Sequence, residues 1–336
     1  MEGRPTTRPP RATLLLLAGL VSACAFLHSC ARLNRVARVG VVSNLDFFNA
    51  TFDGFKSRMT ELGWEEGRRI SYDFRRTRMD MAATEAALSG FSGSKVDLIL
   101  AFPTEAALLA KKAGEASRIP VLFANANIEG LGLVESVQRP GGNATGVRFP
   151  GPDIAVKRLE ILSEIAPRAR RFLVPYQRGV DLVPAQLEAL RAAAAASGLR
   201  LVELPMDSPA ALASWTAGLP VSGPPPFDAV LMIAEPLMVS PGGFGPLASW
   251  AYGRGLPVGG ALMEEGGAVS LFEVATDAYE SGRQAAALAD KILKGAKAGE
   301  IPVLSAEYNV IVDAGAGRRM GVAIPPGVLN AANEVR

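Results

Sequence analysis

From Arg38 onward the chain alternates short runs of β-branched and aliphatic residues with longer amphipathic stretches, and it does so twice over. Strands separated by helical connections pair in parallel and need helices over the sheet, so this order restricts the fold to α/β. Val39-Gly40-Val41-Val42 is the first strand. Phe48, Phe52, Phe55, Met59 and Leu62 follow at steps of four and three, which puts them on one helix face, and Gly63 supplies the stop. This aromatic stripe reads as core rather than as a binding surface. Ile70, Tyr72 and Phe74 alternate as a strand, a helix runs through Met81 to Leu88, and Val96 to Ala101 is a buried strand. A helix from Thr104 to about Ala113 and a strand from Ile119 to Ala124 close the series, with Pro120 tolerated at the strand's start.

The second half repeats this order: strand Arg171–Val174, helix Val183–Ala196, strand Leu199–Leu204, helix Pro209–Gly218 and strand Ala229–Ala234. Val96-Asp97-Leu98-Ile99-Leu100 corresponds to Phe227-Asp228-Ala229-Val230-Leu231, and Arg118-Ile119-Pro120-Val121 to Arg254-Gly255-Leu256-Pro257-Val258. Two similar lobes follow, each a parallel sheet flanked by helices, and 336 residues suit two domains of roughly 100 to 200 residues. Arg139-Pro140-Gly141-Gly142-Asn143 is the turn-rich join, and Pro224-Pro225-Pro226 is a rigid surface connection. A helix from Asp277 to Leu293, a strand from Tyr308 to Val312 and a helix from Ala314 to Met320 are too little for a third domain. They are expected to cross back and complete both lobes. The expected division is 38–147 with 266–301 in one lobe and 148–265 with 302–336 in the other. Hinge crossings are expected at Gly146–Pro150, Glu264–Gly267 and Pro302–Glu307.

Arg4, Arg8 and Arg11 precede the apolar run Leu14–Val21, which ends in Ser22-Ala23-Cys24. The run is far short of the roughly 20 apolar residues that cross a bilayer, so residues 1–23 read as a removable export signal. Val21-Ser22-Ala23-Cys24 resembles the lipobox of bacterial lipoproteins, which would make Cys24 a lipidated anchor and 24–37 its linker. A plain signal peptide or short anchor is the alternative, and Leu27-His28-Ser29-Cys30 offers a second, poorer lipobox. Both cysteines and the single histidine fall in this leader. The body is thereby denied a disulfide, a thiolate nucleophile, a Cys/His metal cluster and a histidine base. A formal net charge of +2 supplies no basic stripe for nucleic acid.

In an open parallel sheet, ligands bind beyond the carboxyl ends of the strands, where loops diverge and helix amides point into the crevice. That rule selects Ser43, Asn44 and Phe47 after the first strand, Thr104 and Glu105 after the strand Val96–Ala101, and Asn125 and Asn127 after the strand Ile119–Ala124. Tyr176 and Glu235 are their counterparts in the second lobe. Ser43 and Thr104 are expected to open helices and to anchor an acidic group through hydroxyls and adjacent amides; ordinary helix capping is the competing reading. Phe47 or Tyr176 stacks on an apolar ligand group or simply walls the cleft. Glu105, Glu235, Glu264 and Glu265 are the candidate partners for an ammonium group. Gly315-Ala316-Gly317-Arg318-Arg319-Met320-Gly321 imitates a dinucleotide fingerprint, but its final glycine comes one place late and too little chain is expected to remain for the following strand and ribose-binding acid. No GxxxxGK[ST] or GxSxG motif occurs, so the chain holds neither a P-loop nor an α/β-hydrolase elbow.

Five segments in order resemble the ABC-transporter substrate-binding proteins of the tryptophan/tyrosine-transport type: Glu61-Leu62-Gly63-Trp64-Glu65-Glu66-Gly67, Pro140-Gly141-Gly142-Asn143-Ala144-Thr145-Gly146, Lys157-Arg158-Leu159-Glu160-Ile161-Leu162, Asp290-Lys291-Ile292-Leu293-Lys294-Gly295-Ala296 and Gly321-Val322-Ala323-Ile324-Pro325-Pro326. The resemblance implies a type I periplasmic-binding-protein fold, an exported monomer without enzymatic activity, cofactor or metal, and an interlobe cleft for an amino-acid-like ligand. It also implies delivery to a separate permease and ATPase. A sensor feeding a receptor and an exported acid-dependent enzyme are the alternatives. Adjacent Glu264 and Glu265 on a strand would face opposite ways and make a poor acid/base pair. The cleft loops depart from the family: Pro103-Thr104-Glu105 replaces Gly-Thr-Pro, Ala126-Asn127-Ile128-Glu129 replaces a Gly-Asp-Pro turn, and Glu235-Pro236-Leu237 replaces Asp-Pro-Leu.

Overall fold

The first alternating series closes into one parallel sheet in the computed structural model, which describes residues 35–336. The signal segment, Cys24 and Cys30 lie outside the described residues. β1 (Ala37–Ser43) leads through a single 3-10 turn at Asp46–Phe48 to α1 (Asn49–Glu61), and β2 (Ile70–Arg76), α2 (Met81–Ser94), β3 (Leu98–Phe102), α3 (Thr104–Ser117), β4 (Val121–Ala126) and β5 (Ala144–Arg148) follow. In space the strands run β5-β4-β3-β1-β2. The direction of winding reverses between β3 and β1, which places a crevice at the carboxyl ends of those strands. The aromatic stripe of α1 does what its periodicity dictates: Phe52, Phe55 and Met59 are buried against Val39, Val41, Leu98 and Leu100.

The second series gives α4 (Gly151–Ile165), β6 (Arg171–Gln177), α5 (Val183–Ala196), β7 (Arg200–Met206), α6 (Pro209–Ala217), β8 (Ala229–Leu231), α7 (Pro236–Val239), α8 (Gly245–Tyr252) and β9 (Val258–Gly259). β7-β6-β8-β9 form a second parallel sheet. A hairpin of β10 (Glu264–Glu265) and β11 (Ala268–Val269) precedes β12 (Phe272–Thr276). The chain ends in α9 (Ala278–Leu293), β13 (Leu304–Ser305), β14 (Tyr308–Val312), α10 (Ala314–Met320), α11 (Pro326–Ala331) and β15 (Glu334–Val335). α9 packs across α1, and β13 pairs with β5, so both return to the first lobe.

β12 moves one expected boundary. It pairs antiparallel with β14, and Phe272 and Val274 share a core with Ile154, Leu231 and Val310. Residues 268–276 therefore lie with the second lobe, and the crossing expected at Glu264–Gly267 falls instead at Asp277, whose carboxylate caps α9 through the amide of Glu280. The first lobe likewise runs through Ser305 rather than stopping at 301, because β13 extends its sheet.

Two buried details hold these layers. Gly54 of α1 and Gly282 of α9 mark a close helix crossing: a Cβ on either would lie 1.9 Å from a backbone oxygen of the opposite helix, Tyr279 or Thr51. In the second lobe, Arg158 of α4 is 4% exposed and donates to the carbonyl of Val274 at 3.1 and 2.8 Å and to that of Met232 at 2.9 Å. It ties helix α4 to β12 and to the loop leaving β8.

Candidate functional site

The sheet register brings the strand ends of the first lobe level: Ser43 is opposite Phe102 and Arg76, and Ala126 is opposite Arg148. Asn44 is fully buried, and its Oδ1 accepts the hydroxyls of Thr77 at 2.5 Å and Thr84 at 3.0 Å. Asn125 is buried on a bulge of β4, and its Nδ2 donates to Thr51 Oγ1 at 2.8 Å. The amide of Asn127 donates to Thr104 Oγ1 at 2.9 Å, which binds the ends of β3 and β4 together. Each buried asparagine keeps one amide atom with no partner among the described residues: Asn44 Nδ2, Asn125 Oδ1 and Asn127 Nδ2. Such an atom costs about 1–3 kcal/mol if nothing meets it, so three at neighbouring strand ends make this edge of the sheet a candidate polar site.

Neither Ser43 nor Thr104 caps a helix. The Ser43 hydroxyl donates to the carbonyl of Leu45 at 3.0 Å, ahead of the 3-10 turn. Thr104 is the first residue of α3, one place past the cap, which is Pro103, and its oxygen is drawn to Asn127. Phe47 stands 79% exposed with its ring edge-on to Phe48 at 5.1 Å, and Glu105 is exposed in the first turn of α3.

On the second lobe, Tyr176 is half-buried near the end of β6. Glu235 is buried and caps α7: one carboxylate oxygen accepts from Leu237 at 2.9 Å and Gln177 at 3.0 Å, and the other has no partner among the described residues. Burial pushes its carboxyl up, against the pull of the Leu237, Gln177 and Met238 amides. A folded-state pKa above the unfolded value means that the native state holds the proton more tightly. This contribution to stability is present below the unfolded carboxylate pKa and is lost as pH rises through the folded one. Glu235→Gln should therefore gain stability relative to the unaltered protein as urea melts move from about pH 4 to about pH 8. A constant difference across that range would contradict the inferred shift. Glu264 is exposed on β10, 3.7 Å from Arg319, and Glu265 accepts from the amide of Gly245 at 2.7 Å. Among the described residues no hydrogen bond or ion pair joins either of them to Glu235 or Tyr176.

Sequence reasoning missed Thr51, Thr77 and Thr84, the residues that hold the asparagines in place. All are buried. A polar residue on the apolar face of a predicted helix, as Thr51 is among Phe48, Phe52 and Phe55, is the signal that would have found the first.

Cavity size does not locate the site. A recess of about 860 Å³ lies at the amino ends of β6 and β8 between Ile165–Ala169 and Gly321–Pro326, where Asp228 is bound to Arg171 at 2.7 Å. None of the unpartnered buried atoms lines it. A recess of about 750 Å³ runs between Glu129–Leu131 of the first lobe and Asp181–Ala192 of the second, on the edge where both lobes meet. Arg148 closes the hinge side, with Glu129 at 2.8 Å, Asp153 at 2.7 Å and Ser305 Oγ at 2.9 Å. Among the described residues no group of three or more His, Cys, Asp or Glu is arranged to hold a metal ion, and no helix is long and apolar enough to cross a membrane.

Comparison with known proteins bears on the fold and the family. A tyrosine-binding protein of Clostridioides difficile (strain R20291) is 26% identical over 263 residues, covering 77% of this chain and 72% of that protein. The ligand-free, open structure of a substrate-binding protein with adhesive properties from Clostridium difficile superposes with a TM-score of 0.74 at 23% identity, over 90% of this chain and 99% of the other. An ABC domain from Streptococcus pneumonia, solved in complex with L-Trp, does so at 0.70 and 23% identity, over 90% and 100%. The sequence pattern of ABC transporter substrate binding proteins, a solute-binding rather than a catalytic family, matches residues 37–336. The chain belongs to the family of ABC transporter substrate-binding proteins.

Proposed function

We propose that this protein captures one amino-acid-like ligand between its lobes outside the cytoplasm, closes on it without catalysing a reaction, and delivers it to a separate permease driven by a separate ATPase. The observation that carries the reading is the set of buried asparagine atoms without protein partners at the carboxyl ends of β1 and β4. The relatives named for tyrosine and L-Trp support an amino acid, with an aromatic one fitting the exposed Phe47 and the half-buried Tyr176. In this reading the acidic group meets Asn44, Asn127 and the Thr104 region, where donors are free. Glu235 closes from the second lobe with its unpartnered oxygen, Ser43 shapes the loop, and Glu105 and Glu264 stay at the rim. A thermal-shift screen of the common amino acids tests it: a ligand present at a hundred times its Kd stabilises the fold by about 2.7 kcal/mol. No shift with any of them would remove the amino-acid reading.

The anchor belongs to the same proposal. Mass spectrometry of the membrane fraction should find a lipid-bearing peptide that begins at Cys24, and Cys24→Ala should release the protein or leave its leader attached. A soluble mature form cut elsewhere would contradict the anchor and leave ligand capture standing.

A further inference from the structure

We infer that Asn125 presents its amide oxygen to the amino group of the ligand, and that Thr51 is the residue that positions it. The inference rests on the amino-acid reading above and names the group that the first lobe reads. Three independent features converge on Asn125. On β4, Ala124 pairs with Val147 and Ala126 with Arg148, so Asn125 is the extra residue of a bulge. Bulges at strand ends redirect a side chain out of the regular alternation. Its φ is +51°, in the left-handed region that asparagine tolerates better than most residues. The side chain is 3% exposed, with Nδ2 held by Thr51 Oγ1 at 2.8 Å and Oδ1 left without a protein partner.

Thr51 is equally constrained. It is fully buried, its β-branched side chain has few rotamers within a helix, and its carbonyl lies against Gly282 of α9. In this arrangement the nitrogen of Asn125 donates to Thr51 and the oxygen is left to accept. Asn44 and Asn127 present the opposite atom, a free Nδ2. The first lobe therefore offers donors for a carboxylate and an acceptor for an ammonium group from neutral side chains. Its requirement for the amino group is set by Asn125.

Calorimetry with the common L-amino acids identifies the tightest binder, which is then measured beside its des-amino analogue. Asn125→Gly suits the left-handed backbone and removes only the side chain. It should weaken the amino acid by about ten- to a hundredfold and change the des-amino analogue by less than about threefold. Thr51→Val should weaken the amino acid about tenfold and Thr51→Ser should restore it, a rescue that a purely structural role for the methyl would not give. Amino-acid binding that survives both Asn125→Gly and Thr51→Val overturns the inference alone. Equal loss of the amino acid and its analogue also overturns it, because Asn125 then faces another group. If no amino acid binds the unaltered protein, the amino-acid reading fails and this inference fails with it. Should Thr51→Val not fold, Asn125→Gly and Thr51→Ser still decide the matter.

Discussion

Arg158→Leu should lower the stability of the protein by about 2–5 kcal/mol in urea unfolding, with Arg158→Lys between the two. The residue shares the core-facing side of α4 with Ile154, Ile161 and Leu162. Burial pulls its pKa down to about 10, and the negative charge of Glu273 pulls back, so it remains a cation at neutral pH. A charge in that position persists because its forked donors satisfy the carbonyls of Val274 and Met232. Leucine would leave both oxygens without that donor and would not refill the guanidinium volume. Lysine keeps the charge but has a single nitrogen where two carbonyls need a fork. An unfolding midpoint for Arg158→Leu that stays at the unaltered value would show that α4, β12 and β8 are held by apolar packing alone.

Gly282→Val should cost about 3 kcal/mol or more, the upper end of what overpacking a core costs. The obstruction is backbone: the added Cβ would meet the Thr51 oxygen at 1.9 Å and the Phe55 nitrogen at 2.8 Å, and neither can rotate away. Glycine within a helix is unfavourable by about 1 kcal/mol relative to alanine, so its presence in both α1 and α9 answers the closeness of the crossing. Gly90 in α2 provides the contrast, since a Cβ there meets nothing within 4 Å. Gly90→Ala should stabilise by about 0.5–1 kcal/mol in the same melts. Gly282→Val should also weaken ligand binding, because the displaced Thr51 no longer holds Asn125. A valine variant as stable as the unaltered protein would refute the tight crossing.

The helices and buried strands were legible where a period or a continuous apolar run ran long enough to declare itself, as with the stripe of α1, the runs of β3 and β4 and the Asp277-capped α9. β12 was not. Phe272-Glu273-Val274 is a short alternation after a glycine pair, and its partner β14 lies dozens of residues away, so only the antiparallel pairing shows which lobe owns it. The strand-end rule put Ser43, Asn44, Thr104, Asn125 and Asn127 at the ends of β1, β3 and β4, where the structure has them, because it depends on topology, which the alternation reveals. It could not reveal their hydrogen bonding, because Thr77 and Thr84 reach Asn44 from 33 and 40 residues away and Thr51 reaches Asn125 from 74. The same limit applies to the acids: Glu235 and Glu264 look alike in sequence, yet one is buried over two backbone amides and the other is exposed beside Arg319.

Titration calorimetry of the purified protein with L-tyrosine, L-tryptophan and the remaining common amino acids tests ligand capture most directly. The account predicts that at least one amino acid binds at one molecule per chain, and that its affinity falls by about ten- to a hundredfold in Asn125→Gly. Heats indistinguishable from dilution for every amino acid, or binding that is indifferent to the strand-end asparagines, would contradict it.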